Sequence, residues 1–166
     1  MVSRAGAFGI LMAAVGTLFL VPAHGSAQDS LSVSCAAVNL RSPLEDLLPC
    51  VEQGFAQAQY SLGIKYFGGE SVPKDEAEAV HWFRMAAEQG HAAAQMALAA
   101  MYVRGEGVPE DLVLANMWIS LSAAQRYDDA QINKEIMETM MTREQIAEAQ
   151  RLSREWIETH PEDGGN

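Results

Sequence analysis

Residues 52–87 read EQGFAQAQYSLGIKYFGGESVPKDEAEAVHWFRMAA, and residues 88–123 read EQGHAAAQMALAAMYVRGEGVPEDLVLANMWISLSA. Set one beneath the other, they agree at 16 of 36 positions without a gap, which is an internal repeat and not chance. Within a unit the spacing is helical. Ala58, Leu62 and Tyr66 recur every four residues, as do Ala94, Leu98 and Tyr102, which predicts first helices over 55–67 and 91–103. Gly69 and Gly105 suit the left-handed residue that closes a helix. Val-Pro then imposes an extended step, because the residue before proline is steered away from helix. Asp75 and Asp111 are placed to cap second helices over 75–88 and 111–124, and Asp75 with Glu78 forms a capping-box pattern that Leu114 breaks in the second unit. Ala79, Trp82 and Ala86 line one face of the second helix, with Ala115, Trp118 and Ser122 equivalent. At this spacing the tryptophans are core residues sooner than ligand platforms.

A single helix pair cannot bury its apolar stripe, whereas stacked pairs can. Ala130-Gln131 falls one further period on and opens a third unit, which then decays. Lys134 stands where Leu98 predicts a core residue, and the Gly-Val-Pro loop is missing. Thr142 with Gln145 starts a final helix through Ile157, whose Ile146, Ala149, Leu152 and Trp156 can cover the open end. At the front, Ser42-Pro43 with Glu45 starts a short helix that Pro49 is expected to interrupt.

Ahead of the repeats lies a leader. Arg4 is followed by an apolar run from Phe8 to Val21, ended by Pro22, with Gly25-Ser26-Ala27 small enough for a signal peptidase. The run is shorter than the ~20 residues that span a bilayer, so cleavage after Ala27 is expected, leaving a periplasmic or secreted chain with no stable membrane insertion. Cys35 and Cys50 then meet an oxidising compartment, where an isolated pair reads as one disulfide. The net charge of −11 becomes −12 once Arg4 leaves with the leader. Such a surface repels nucleic acid and anionic lipid, which are held by clustered Lys and Arg.

The Ala-x-Ala-Gln followed by Leu and Tyr, the Gly-x-x-Val-Pro-x-Asp loop and the Ala-x-x-Trp that ends each unit resemble Sel1-like repeats, a subclass of the tetratricopeptide-like helical solenoids. Ser71 departs from the pattern, since a second loop glycine is usual there; Gly107 keeps it. The resemblance covers residues 42–158. It implies an all-α, right-handed α-solenoid of stacked antiparallel helix hairpins acting as an adaptor for another protein; some exported members regulate membrane sensor kinases, support envelope assembly or bind host proteins. The expected organisation is a signal peptide at 1–27, an N-terminal segment at 28–51, repeats at 52–87 and 88–123, a degenerate third repeat and C-terminal cap at 124–158, and a disordered tail at 159–166.

Chemistry is thin on this reading. His81, His91 and His160 have no ligand partner at helical spacing, so no metal is expected, and His91 reads as a solvent-exposed position. Glu70 and Glu106 recur as loop structure before they suggest acid–base work. No nucleophile elbow, phosphate loop or Ser-x-x-Lys occurs, and no cofactor is expected. Some disulfide-rich relatives of the repeat are assigned β-lactamase or penicillin-binding activity, but they carry a cysteine pair in each unit. A cell-wall enzyme of that type and a structural subunit of a larger helical assembly are the alternatives to a non-enzymatic scaffold. For the scaffold, the concave face falls to Gln57, Tyr60, Ile64, Phe67, Ala93, Met96, Ala100 and Val103, an apolar groove for a partner helix or extended peptide with basic flanks. The partner could be an envelope sensor or assembly factor. Tyr60→Glu and Phe67→Glu are expected to abolish capture without changing the melting temperature.

Overall fold

The computed structural model describes residues 35–161. The leader and its cleavage point, residues 28–34 and residues 162–166 lie outside the described residues. Among those described, seven helices follow one another: α1 Leu44–Glu52, α2 Ala56–Gly68, α3 Glu76–Glu88, α4 Ala92–Arg104, α5 Leu112–Ala124, α6 Ala130–Thr139 and α7 Arg143–Thr159. Helices α2 and α3 form one antiparallel hairpin and α4 and α5 the next, α3 packs on α4, and α5 carries both α6 and α7.

Local chemistry sets the boundaries. Gly69 and Gly105 both take the left-handed conformation, at φ 72° and 64°. Asp75 accepts from the N–H groups of Ala77 and Glu78, both at 3.0 Å, and Asp111 accepts from Val113 and Leu114, both at 2.9 Å. The return half of the capping box expected from Glu78 is not formed. The Asp75 N–H is already donated to the Tyr66 carbonyl at 3.0 Å, and the Asp111 N–H likewise to Tyr102 at 3.1 Å, so no donor is left for an acid three residues on. The reciprocal capping box exists instead at Thr142 and Gln145, as expected there.

The interruption expected at Pro49 is absent, because α1 runs straight through it. Proline removes one hydrogen bond, leaving the Glu45 carbonyl free on an exposed flank where water can reach it. Against that loss, Leu47, Cys50 and Val51 are buried and the Cys35–Cys50 disulfide, with Cα atoms 5.4 Å apart, ties the helix to the segment before it. Closing a loop of this length contributes about 3 kcal/mol by restricting the unfolded chain.

Two apolar clusters result. The front one joins Cys35, Val38, Leu47, Cys50 and Val51 to Ala58 and Leu62 of α2, with Trp82 packed against it. The main one runs through α3, α4 and α5, holding Phe83, Leu98, Met101 and Trp118, and Trp156 of α7 meets Trp118 edge to face at 6.3 Å. Both repeat tryptophans thus serve packing. The repeated Ala-Gln dipeptide has a structural task as well. Gln59 and Gln95 are buried, and each accepts a hydrogen bond from a glutamine 30 residues on, Gln89 at 2.7 Å and Gln125 at 2.9 Å. Each pair ties the start of the first helix of a hairpin to the end of its second helix, satisfying an amide that the core would otherwise strand.

Candidate binding groove

All eight residues expected on the concave face are half-buried, and seven of them fall into three groups. Ile64, Phe67 and Ala100 line a cleft of about 80 Å³ between α2 and α4. Met96, Ala100 and Val103 line a larger one of about 240 Å³ between α4 and α6, opposite Ile136, Met137 and Met140. Arg104 borders both clefts; it is bridged to Glu106 at 2.6 Å and sits over the Phe67 ring at 5.9 Å. Ala93 lines neither cleft.

Gln57 and Tyr60 belong to a joint between the units, and this corrects the reading of His91 as an exposed residue. His91 is the cap of α4. Its Nδ1 accepts from the Ala94 N–H at 3.2 Å, so Nδ1 carries no proton, and its Nε2–H therefore donates to Gln57 Oε1 at 3.0 Å. Its ring packs on Tyr60 at 4.9 Å, and Tyr60 in turn lies 5.9 Å from Phe83. Burial, with Tyr127 nearby, pushes the Tyr60 phenol up from its ordinary range. Tyr60, Ile64 and Phe67 pack against the main core. Tyr60→Glu, which puts a charge into a half-buried aromatic contact, and Phe67→Glu, which removes apolar contact with the main core, must therefore lower the melting temperature as well as alter the groove, contrary to the expectation of unchanged melting.

The sequence pattern of the Sel1 repeat matches residues 56–91 and 92–127. Residues 56–127 are two Sel1 repeats. The matched units open at the first helix, four residues after those drawn at 52 and 88 from the Glu-Gln-Gly triplets. A stretch of 43 residues is 46% identical to the secretory immunoglobulin A-binding protein EsiB of Escherichia coli O6:H1, covering 26% of this chain and 9% of that relative. The fold is similar to the crystal structure of a protective antigen from uropathogenic Escherichia coli strains with an SLR fold, at TM-score 0.70 and 32% identity, over 84% of this chain and 32% of that one. It is also similar to a Sel1 repeat protein from Oxalobacter formigenes, at TM-score 0.52 and 38% identity, over 55% of this chain and 38% of that one. The chain thus spans a small part of the length of each.

The Sel1 register shows what the sequence reading missed. One period of 36 residues beyond Met96 and Ala100 stand Ile132 and Ile136 of α6, so the concave face continues into the degenerate unit. On α2 and α4 the equivalent residues are half-buried beneath the next first helix. Among the described residues no further first helix covers α6, and Ile132, Ile136 and Met140 are 56%, 55% and 56% exposed. The positions that pack against a second helix in the complete units, Leu98 and Tyr102, become Lys134 and Glu138, which bridge each other at 2.5 Å. That exchange explains why α6 and α7 barely touch and α7 docks on α5 instead. No cluster of three potential metal ligands occurs among the described residues.

His91 gives this Sel1 stack a pH dependence of known sign. Burial holds its pKa below the ordinary 6.5, and the neutral ring is the form that caps α4. The unfolded chain binds the proton more readily, so the contribution is complete above about pH 6.5 and is lost as pH falls from there through the folded value. Asparagine caps without titrating. The drop in melting temperature between pH 7.5 and pH 5 should be smaller for His91→Asn than for the native chain. Equal drops would show that His91 does not carry the proton linkage.

Proposed function

We propose that this protein, with its two Sel1 repeats, is an exported scaffold of the bacterial envelope that binds a protein partner along its concave face and carries out no reaction itself. The observation that carries the reading is the pair of adjoining, largely apolar clefts, one lined by Ile64 and Phe67 and the next by Met96, Val103, Ile136 and Met140, which meet at Ala100 and Arg104. Monomeric proteins keep such apolar surfaces small unless they are used. The leader at 1–27 supports export, and so does the Cys35–Cys50 bridge, which cytoplasmic reductants would break. The relatives add weight: one is named for binding a secretory immunoglobulin and another is described as a protective antigen. Within the envelope, a sensor or assembly factor is the kind of partner this surface suits. No helix among the described residues is long and apolar enough to cross a membrane.

The test uses a photo-cross-linking amino acid placed at Met96, in the groove, or at Glu148, exposed on α7. Export predicts a chain starting at Gln28 in the periplasmic fraction with both thiols blocked. Binding predicts one discrete adduct from Met96 and none from Glu148. An intact leader with free Cys35 and Cys50 would overturn the export reading, and equal cross-linking from both positions would overturn the binding reading.

A further inference from the structure

The scaffold reading leaves open whether the partner enters the groove as a helix or as an extended strand, and the walls of the α4–α6 cleft decide between them. Resting on that reading, we propose that this cleft holds one amphipathic helix of a basic partner, with the partner's apolar face laid on Ile136 and Met140 in the cleft and reaching Ile132, one turn further back, which lines the neighbouring pocket. The three side chains stand four residues apart on α6 and its C-cap Met140, a row about 12 Å long, which is the length of two helical turns and a little more. Across the cleft Met96, Ala100 and Val103, spaced four and then three residues apart, present the facing apolar wall on α4.

Hydrogen-bond supply separates the two occupants. An extended peptide brings an unpaired N–H and C=O at every residue and needs a sheet edge or a row of polar side chains to meet them. In this cleft the polar lining is Asn133 and Arg104, and Arg104 is already bound to Glu106. A buried strand would leave most of its backbone unsatisfied, and each stranded group costs its full desolvation. A helix satisfies its backbone internally and asks the cleft only for apolar contact. Charge then selects among helices. Asp128, Asp129 and Glu135 are exposed beside the row, against Arg126, on a chain of net charge −11. Lys and Arg flanking the partner's apolar face would meet them, and acidic flanks would be repelled.

The test uses three synthetic 16-residue peptides and the chain lacking residues 1–27. The first has Leu at every third and fourth position and Lys elsewhere. The second has the same composition with Leu and Lys alternating, and the third is the first with Glu for Lys. The first is expected to shift the Ile132, Ile136 and Met140 methyl resonances, to gain helicity on binding, and to lose at least tenfold in affinity to Ile136→Glu. Both Ile136→Glu and a second variant, Ile132→Gln, alter exposed side chains, so the melting temperature should hold while affinity falls. If the alternating peptide binds the same methyls as tightly, the occupant is extended and this proposal fails while the scaffold reading stands on the Met96 cross-link. Equal binding of the Glu peptide, indifference to both variants, or no methyl shifts with any peptide would each overturn the proposal.

Discussion

Replacing Gly107 by alanine is expected to destabilise the chain by at least about 3 kcal/mol, lowering the melting temperature by roughly 10 °C, while Ser71→Gly at the matching position of the first unit changes stability by less than about 1 kcal/mol. Gly107 has φ +68°, a region where a side chain is strained by about 1–2 kcal/mol. Space adds the larger part. A Cβ there would lie 2.2 Å from the Glu76 carbonyl oxygen and 2.8 Å from the Ala77 nitrogen. Those atoms belong to the first turn of α3, fixed by the Asp75 cap, so the backbone cannot yield without losing that cap. The loop of the second unit is thereby seated on the helix of the first. Ser71 has nearly the same backbone, at φ 66°, but among the described residues no second helix of an earlier unit precedes it. The glycine that the repeat usually carries is needed where a unit has a predecessor, and its absence at Ser71 marks the first unit. Urea unfolding followed by circular dichroism measures both variants. A Gly107→Ala chain within about 1 kcal/mol of the native one would mean that the loop does not rest on α3.

How far the sequence could be read follows from which rules are local. Ala58, Leu62 and Tyr66, Gly69, and Asp75 each obey a rule confined to a few neighbouring residues, and the 36-residue repetition tests every such reading twice. The helices accordingly fall within one residue of expectation in both units. The pairing of Cys35 with Cys50 was equally legible, since two cysteines permit one bridge. What escaped depends on partners far apart in the chain. His91 caps α4 where the first unit has Phe55 with no side-chain cap, so repetition gave no hint, and its second bond reaches Gln57 in the preceding unit. Pro49 breaks a local rule because a disulfide and three buried residues hold its helix. The stripe on α6 was visible in principle at one period beyond Met96 and Ala100, but Lys134 beside it made the unit look merely decayed. The core position had been lost while the groove position was kept, a distinction that needs the face of the helix and not only its period.

The two units also solve one packing problem in different ways, and this supplies the second large expected effect. In the first unit Gly63 of α2 faces Phe83 of α3; in the second the same places hold Ala99 and Ile119. A Cβ on Gly63 would lie 2.6 Å from two carbons of the Phe83 ring, and Phe83 is among the largest fully buried side chains. Alanine is worth up to about 1 kcal/mol over glycine inside a helix, so Gly63→Ala would stabilise an exposed site. Here the buried ring would have to shift off its place against α2, and overpacking of about 1–3 kcal/mol should outweigh that gain. Phe83→Ile alone leaves a void above Gly63 and should also destabilise, by about 1–3 kcal/mol. The double variant Gly63→Ala with Phe83→Ile rebuilds the arrangement of the second unit. It should recover most of both losses, with a favourable coupling above about 1 kcal/mol in a double-mutant cycle. Additive losses would mean that the two hairpins do not share one packing geometry, and then the 36-residue register could not be used to carry contacts from one unit to the next, the step on which the extension of the groove to α6 depends.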